Sequence, residues 1–117
     1  MSLNYQELDA SDLEFVVVAN SNELKNGEKL FLEIDDIAII LFNIAGKYFA
    51  IGNICSHDGE DLENGDVEAG QVICPRHGAR FEISNGKVAA LPAIEDIPSY
   101  PVQLENEEIL IGIPIAS

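Results

Sequence analysis

Apolar residues recur along the chain in short runs separated by turn residues, and no stretch sustains the periodicity of an amphipathic helix. The pattern predicts strands over Glu14–Ala19, Lys29–Ile34, Ile37–Ile44, Tyr48–Ile51, Gln71–Ile73, Ala79–Ile83, Tyr100–Gln103 and Ile109–Ile113. Asp35-Asp36, Ala45-Gly46-Lys47, Asn85-Gly86 and Asn106-Glu107 supply residues that tolerate tight or left-handed backbone, so several antiparallel hairpins are expected. Asn85-Gly86, between Phe81-Glu82-Ile83 and Val88, is the strongest local hairpin signal. Two segments read as loops: Cys55–Ala69, rich in Gly, Asp and Glu, and Leu91–Ser99, which holds Pro92 and Pro98. Ser21–Glu28 reads as a loop with one helical turn. The fold class is therefore all-β and antiparallel. A long loop inside a β domain must satisfy its backbone polar groups without a ladder, and usually has a functional reason.

The chain has 117 residues, 47% of them hydrophobic, which suits one compact domain over residues 1–117 that buries about two-thirds of the surface of its unfolded form. Its longest apolar runs, Phe15–Ala19 and Ile37–Phe42, fall far short of the roughly 20 residues of a membrane helix. Met1–Ala10 offers neither the basic region nor the apolar core of a leader, so a soluble, cytoplasmic protein is expected. Twenty-one acidic against six basic side chains give a formal charge of −15, which repels the phosphates of nucleic acid and the anionic face of a membrane. The excess reads first as a solvated, aggregation-resistant surface.

Chemistry concentrates in two short clusters, Cys55-Ser56-His57-Asp58-Gly59 and Cys74-Pro75-Arg76-His77-Gly78, with sixteen residues between His57 and Cys74. They contain both cysteines and both histidines of the chain. One disulfide is the most that two cysteines could form, and their placement beside histidines points to metal before cross-linking. Both side chains of a Cys-x-His pair reach one centre only if the backbone turns sharply, which Gly59 and Gly78 allow. Two similar loops within about residues 53–80 could thus clasp one cofactor. A mononuclear Cys2His2 zinc site competes on donor types, although the Cys-x-His spacing fits the zinc-finger arrangement poorly. No glycine spacing matches a nucleotide-binding loop, and with both histidines beside cysteines no general base remains for a hydrolytic triad, so no catalytic residue is assigned.

Cys-x-His, a gap of sixteen and Cys-x-x-His-Gly together resemble the signature of Rieske and Rieske-type proteins, and the turns at Ala45-Gly46-Lys47 and Asn85-Gly86-Lys87-Val88 extend the likeness. The resemblance implies a Rieske-like β-sandwich with a small cluster-binding subdomain of two loops. It also implies one [2Fe-2S] cluster, with Cys55 and Cys74 on one iron and His57 and His77 on the other, the histidines forming the outer edge. Relatives of high potential carry a second cysteine pair bridging the loops, and a Ser and a Tyr whose hydroxyls hydrogen-bond the cluster sulfurs. Here no further cysteine exists, and Ala79 and Phe81 stand at the Ser and Tyr positions. A potential near the low end for this type, about −150 mV, is implied. Pro92 falls where the family places a shielding third loop, and Arg76 is a solvated loop residue, or meets a carboxylate of a partner protein or a local one such as Asp58.

The function implied is single-electron transfer from a flavoprotein reductase to a terminal oxygenase or another redox acceptor, as in the ferredoxin components of bacterial aromatic-ring oxygenase systems, rather than catalysis. The alternative is a subunit permanently bound to a redox enzyme. The large catalytic domain of an oxygenase and the membrane anchor of a respiratory Rieske protein are not expected in 117 residues.

Overall fold

The run Ile39-Ile40-Leu41-Phe42 shows no polar alternation because all four side chains are buried. In the computed structural model, which describes residues 4–115, this run lies at the centre of the molecule. The outermost residues of the expected domain and leader region, 1–3 and 116–117, lie outside the described residues. Among the described residues there are eleven strands: β1 (Leu13–Asn20), β2 (Lys29–Ile34), β3 (Ile37–Ile44), β4 (Lys47–Gly52), β5 (Asp66–Glu68), β6 (Gln71–Ile73), β7 (Arg80–Glu82), β8 (Val88–Ala90), β9 (Ser99–Tyr100), β10 (Val102–Glu105) and β11 (Glu108–Pro114). They form three sheets, β1-β11-β10, β2-β3-β4-β9 and β5-β6-β7-β8, and every strand pairing within them is antiparallel.

Strand periodicity explains the two-sided burial of β3. Ile39 and Leu41 join Ala50, Tyr100, Ile109, Ile111 and Ile113 in one core against the β1-β11-β10 sheet. Ile40 and Phe42 point the other way, into a second core with Ile51, Val72, Phe81, Cys55 and Cys74. The second core binds the small β5-β6-β7-β8 sheet to the rest of the molecule, so the segments carrying Cys55 and Cys74 are anchored from below by apolar packing.

The turn chemistry works as the sequence suggests at three hairpins. Asp35-Asp36 (φ 50° and 67°), Ala45-Gly46 (54° and 85°) and Asn106-Glu107 (49° and 71°) each put two successive residues in the left-handed region. They close the pairs Ile34↔Ile37, Ile44↔Lys47 and Glu105↔Glu108. Asn85-Gly86 also joins paired strands, but through a wider turn. Gly86 N–H donates to Glu82 O at 2.8 Å, Glu82 N–H donates to Lys87 O at 2.8 Å, and the Asn85 side chain accepts from Lys87 N–H at 2.9 Å. Gly86 is needed there for close approach as well as for its φ of 75°, since a Cβ would lie 2.2 Å from Ile97 O.

Three expectations need correction. The loop expected over Cys55–Ala69 contains β5, whose residues are all exposed and which pairs through its backbone with β6 across an Ala69-Gly70 turn (φ 53° and 77°), with Arg80 Nη2 donating to Glu68 Oε1 at 3.4 Å. A strand with no buried side leaves no hydrophobic pattern. The expected strand Tyr100–Gln103 is two strands, because Pro101 has no N–H to donate and the chain changes sheets there. Tyr100 pairs with Ala50, whereas Val102 pairs with Ile111. Ser99, expected in a loop, belongs to the first of these. A short strand, β8, also follows the Asn85-Gly86 turn. Among the described residues no helix is long and apolar enough to cross a membrane.

Candidate metal centre

The two cysteine loops share one backbone solution. Cys55 N–H donates to Glu60 O at 2.7 Å, and Gly59 N–H donates back to Cys55 O at 2.7 Å. Cys74 N–H donates to Ala79 O at 2.7 Å, and Gly78 N–H donates back to Cys74 O at 3.1 Å. In each loop the glycine stands four residues after the cysteine, with φ of 76° at Gly59 and 79° at Gly78. No atom lies within 4 Å of a Cβ built at either, so the requirement for glycine there is conformational, not spatial.

The loops leave the small sheet at different points. The second joins β6 to β7, and the first precedes β5. The first is tied down by Leu62, buried in the second core, whose N–H donates to Asn53 Oδ1 at 2.7 Å, and by Lys29, whose Nζ donates to Gly65 O at 3.0 Å.

All four expected residues converge, in two layers. Cys55 and Cys74 are free thiols, 0% and 1% exposed, and their sulfurs are within hydrogen-bonding reach of each other. His57 and His77 are exposed, with ring centroids 5.1 Å apart and planes at 85°. Burial pushes the Cys55 thiol up, against the pull of the His57 and Asp58 backbone N–H groups that point at its sulfur. Those amides supply fixed positive ends for a thiolate once a metal takes the proton's place. Two buried sulfurs within reach of each other, with two exposed imidazoles edge to face, suit a centre with one thiolate-bound and one imidazole-bound metal. The donor set thus fits a [2Fe-2S] cluster of mixed ligation.

Arg76 and Asp58 link the loops. Arg76 Nε donates to Asp58 Oδ2 at 2.5 Å, and Nη2 donates to Oδ1 at 3.0 Å. The guanidinium, helped by the Glu60 N–H, holds the Asp58 carboxyl well below the usual carboxylate range. Asp58 also lies close enough to count as a donor, its carboxylate within 4.8 Å of the Cys55 and His57 donor atoms. With both oxygens bound to Arg76, it is engaged in joining the loops instead. Of the three readings for Arg76, the local carboxylate is the one the structure adopts.

The segment around Pro92 forms a third wall. Ala93 and Ile97 pack into the core that holds both cysteines, and the Ser56 hydroxyl donates to Glu95 O at 2.5 Å. Leu91 and Ile94 project outward, 76% and 79% exposed. Sequence reasoning missed the Ser56 link, because a hydroxyl bonded to a distant carbonyl leaves no spacing signal. Ala79 and Phe81 are both fully buried in the same core, with no side-chain hydroxyl to offer a sulfur.

Residues 14–101 match the model of the Rieske [2Fe-2S] domain family. The 3-phenylpropionate/cinnamic acid dioxygenase ferredoxin subunit of Shigella boydii is 35% identical over 95 residues, which are 80% of this chain and 89% of that protein. The ferredoxin component of the naphthalene 1,2-dioxygenase/salicylate 5-hydroxylase systems of a Ralstonia species is 28% identical over 77% of this chain and 86% of its own. Among solved structures, the ferredoxin of carbazole 1,9a-dioxygenase from Nocardioides aromaticivorans superposes with a TM-score of 0.78 at 30% identity, covering 83% of this chain and 95% of that one. A family match across most of the chain, on a fold that sets two buried thiols beneath two exposed imidazoles, makes this chain a member of the Rieske [2Fe-2S] domain family that carries one [2Fe-2S] cluster.

Proposed function

We propose that Cys55 and Cys74 hold one iron of the cluster and His57 and His77 the other, and that the protein moves single electrons from a flavoprotein reductase to a terminal oxygenase. Relatives named as ferredoxin components of dioxygenase systems support the role of carrier rather than catalyst. The cluster supplies a site that accepts and releases one electron without making or breaking a bond to substrate. The observation that carries the ligand assignment is the layering of the four side chains, thiols at 0% and 1% exposure beneath imidazoles at the surface.

Each residue has a distinct task. The thiolates keep donated charge toward the interior, where the His57 and Asp58 amides meet it at Cys55. The neutral imidazoles donate less, so an iron held by His57 and His77 would be the more readily reduced one, on the exposed side that a partner can reach. Ala93 and Ile97 keep water from the sulfurs. We place the protein in the cytoplasm as a single domain of residues 1–117, a compartment that keeps the free thiols reduced until metal binds.

Single replacements test the ligand set. His57→Ala, His77→Ala, Cys55→Ser and Cys74→Ser should each abolish the cluster or lower its occupancy severely, read as iron and sulfide per chain. Full occupancy in any one of them removes that residue from the set.

A further inference from the structure

The two cysteine loops are each closed on themselves, and among the described residues no backbone hydrogen bond runs from 55–60 to 74–79. Apart from the meeting of the two thiols and the edge-to-face contact of the two imidazoles, what joins them directly among the described residues is the two-point contact of Arg76 with Asp58. Asp58 follows His57 and Arg76 precedes His77, so each end of the contact is one residue from an imidazole. A guanidinium meeting a carboxylate through two parallel bonds fixes orientation as well as distance, which a single ammonium contact does not. Both side chains are partly shielded, 31% exposed for Arg76 and 18% for Asp58.

We propose that the Arg76–Asp58 contact is the tie that sets the spacing of the two loops, and with it the pose of His57 and His77 toward one another. Arg76 and Asp58 are then positioning residues for the metal centre, not ligands. The inference rests on the donor set proposed above. The competing view is a surface ion pair without consequence, the common result for isolated exposed pairs.

The test uses the holoprotein with Arg76→Gln, Asp58→Asn, the double variant and Arg76→Lys. Three quantities are read: the rate at which visible absorption bleaches in excess chelator, the EPR linewidth of the reduced protein, and hydrogen exchange of the segments containing the Gly59 and Gly78 amides. Each neutral single variant should bleach about threefold faster than wild type, with a broadened signal. The double variant should be no worse than either single one, because the tie is lost once, and Arg76→Lys should fall between. Wild-type rates and linewidths in the single variants overturn the tie. So does a double variant whose effect is the product of the two, and so does an Arg76→Lys protein indistinguishable from wild type, which would leave charge alone and no two-point geometry. If the wild type itself holds no iron or sulfide, it is the donor set that fails. Exchange at Gly59 and Gly78, faster in Arg76→Gln if the tie exists and unchanged if it does not, then decides the tie by itself.

Discussion

Phe81 packs into the core that holds both cysteines with a ring that carries no hydroxyl, and Ala79 in the same core offers none either. Fewer hydrogen bonds to sulfur leave the reduced, more negative state less stabilised, which lowers the potential. Phe81→Tyr should therefore raise the midpoint measured by voltammetry, and an unchanged or lower midpoint would show that the new hydroxyl does not reach a sulfur. Tyr100 is a second residue with a calculable consequence. Burial, followed by the nearby Tyr5 whose ring stacks at 5.2 Å, pushes its phenol from 10.0 up to about 12. A group whose pKa rises on folding contributes stability that is complete below its unfolded value and disappears as pH climbs through its folded value. Denaturant midpoints should accordingly hold steady up to about pH 10 and fall between about 10 and 12, and Tyr100→Phe should remove that part of the fall. The four residues proposed as donors stood out in the sequence because cysteine and histidine are scarce here and occur only side by side. The Arg76–Asp58 contact stood only as one of three readings, since eighteen positions separate the pair and their meeting depends on how two loops are set in space.

Strands were legible where a run of apolar side chains faces a core. β2 and β3 match the expected spans end for end, because their apolar residues face a core on one side or two. β5 was not legible, since its three residues are all exposed and it is defined by backbone pairing to β6 rather than by a buried face. The split between β9 and β10 shows what a proline does when strands on both sides are recruited by different sheets: Pro101 still accepts at its carbonyl, from Gly112 N–H at 2.9 Å, but it cannot donate. The turn before β8 links this level to the metal centre. Gly86 O accepts from Ile97 N–H at 2.8 Å, which pins the third wall against the turn. Gly86→Ala would force a side chain at φ 75° and place a Cβ 2.2 Å from Ile97 O. It should destabilise the fold by more than about 1 kcal/mol in denaturant titration. It should also loosen the third wall, seen as faster hydrogen exchange over residues 93–98; wild-type stability would mean that the wall is not held by this contact.

For the whole molecule the dominant quantity is the charge of −15, carried by 21 acidic side chains. Several of them, Glu60, Asp61 and Glu95 among them, are exposed on the segments that frame the metal centre. If that field steers the encounter with a basic rim on a redox partner, the second-order rate of electron transfer should fall as salt rises, because fields are screened beyond about 8 Å at physiological ionic strength. A rate that stays constant or rises in a stopped-flow salt series would assign docking to apolar contact instead, for which Leu91 and Ile94 are the exposed candidates. Steering matters only if the molecule is what its two-layered centre indicates, a carrier holding iron and sulfide between paired thiols and paired imidazoles. Iron, sulfide and zinc analysis of the purified protein, taken with its visible and EPR spectra before and after reduction, bears on that directly. About two irons and two sulfides per chain are predicted, with visible absorption that bleaches partly on reduction and an EPR signal that appears only in the reduced state. A colourless protein holding one zinc per chain would contradict it.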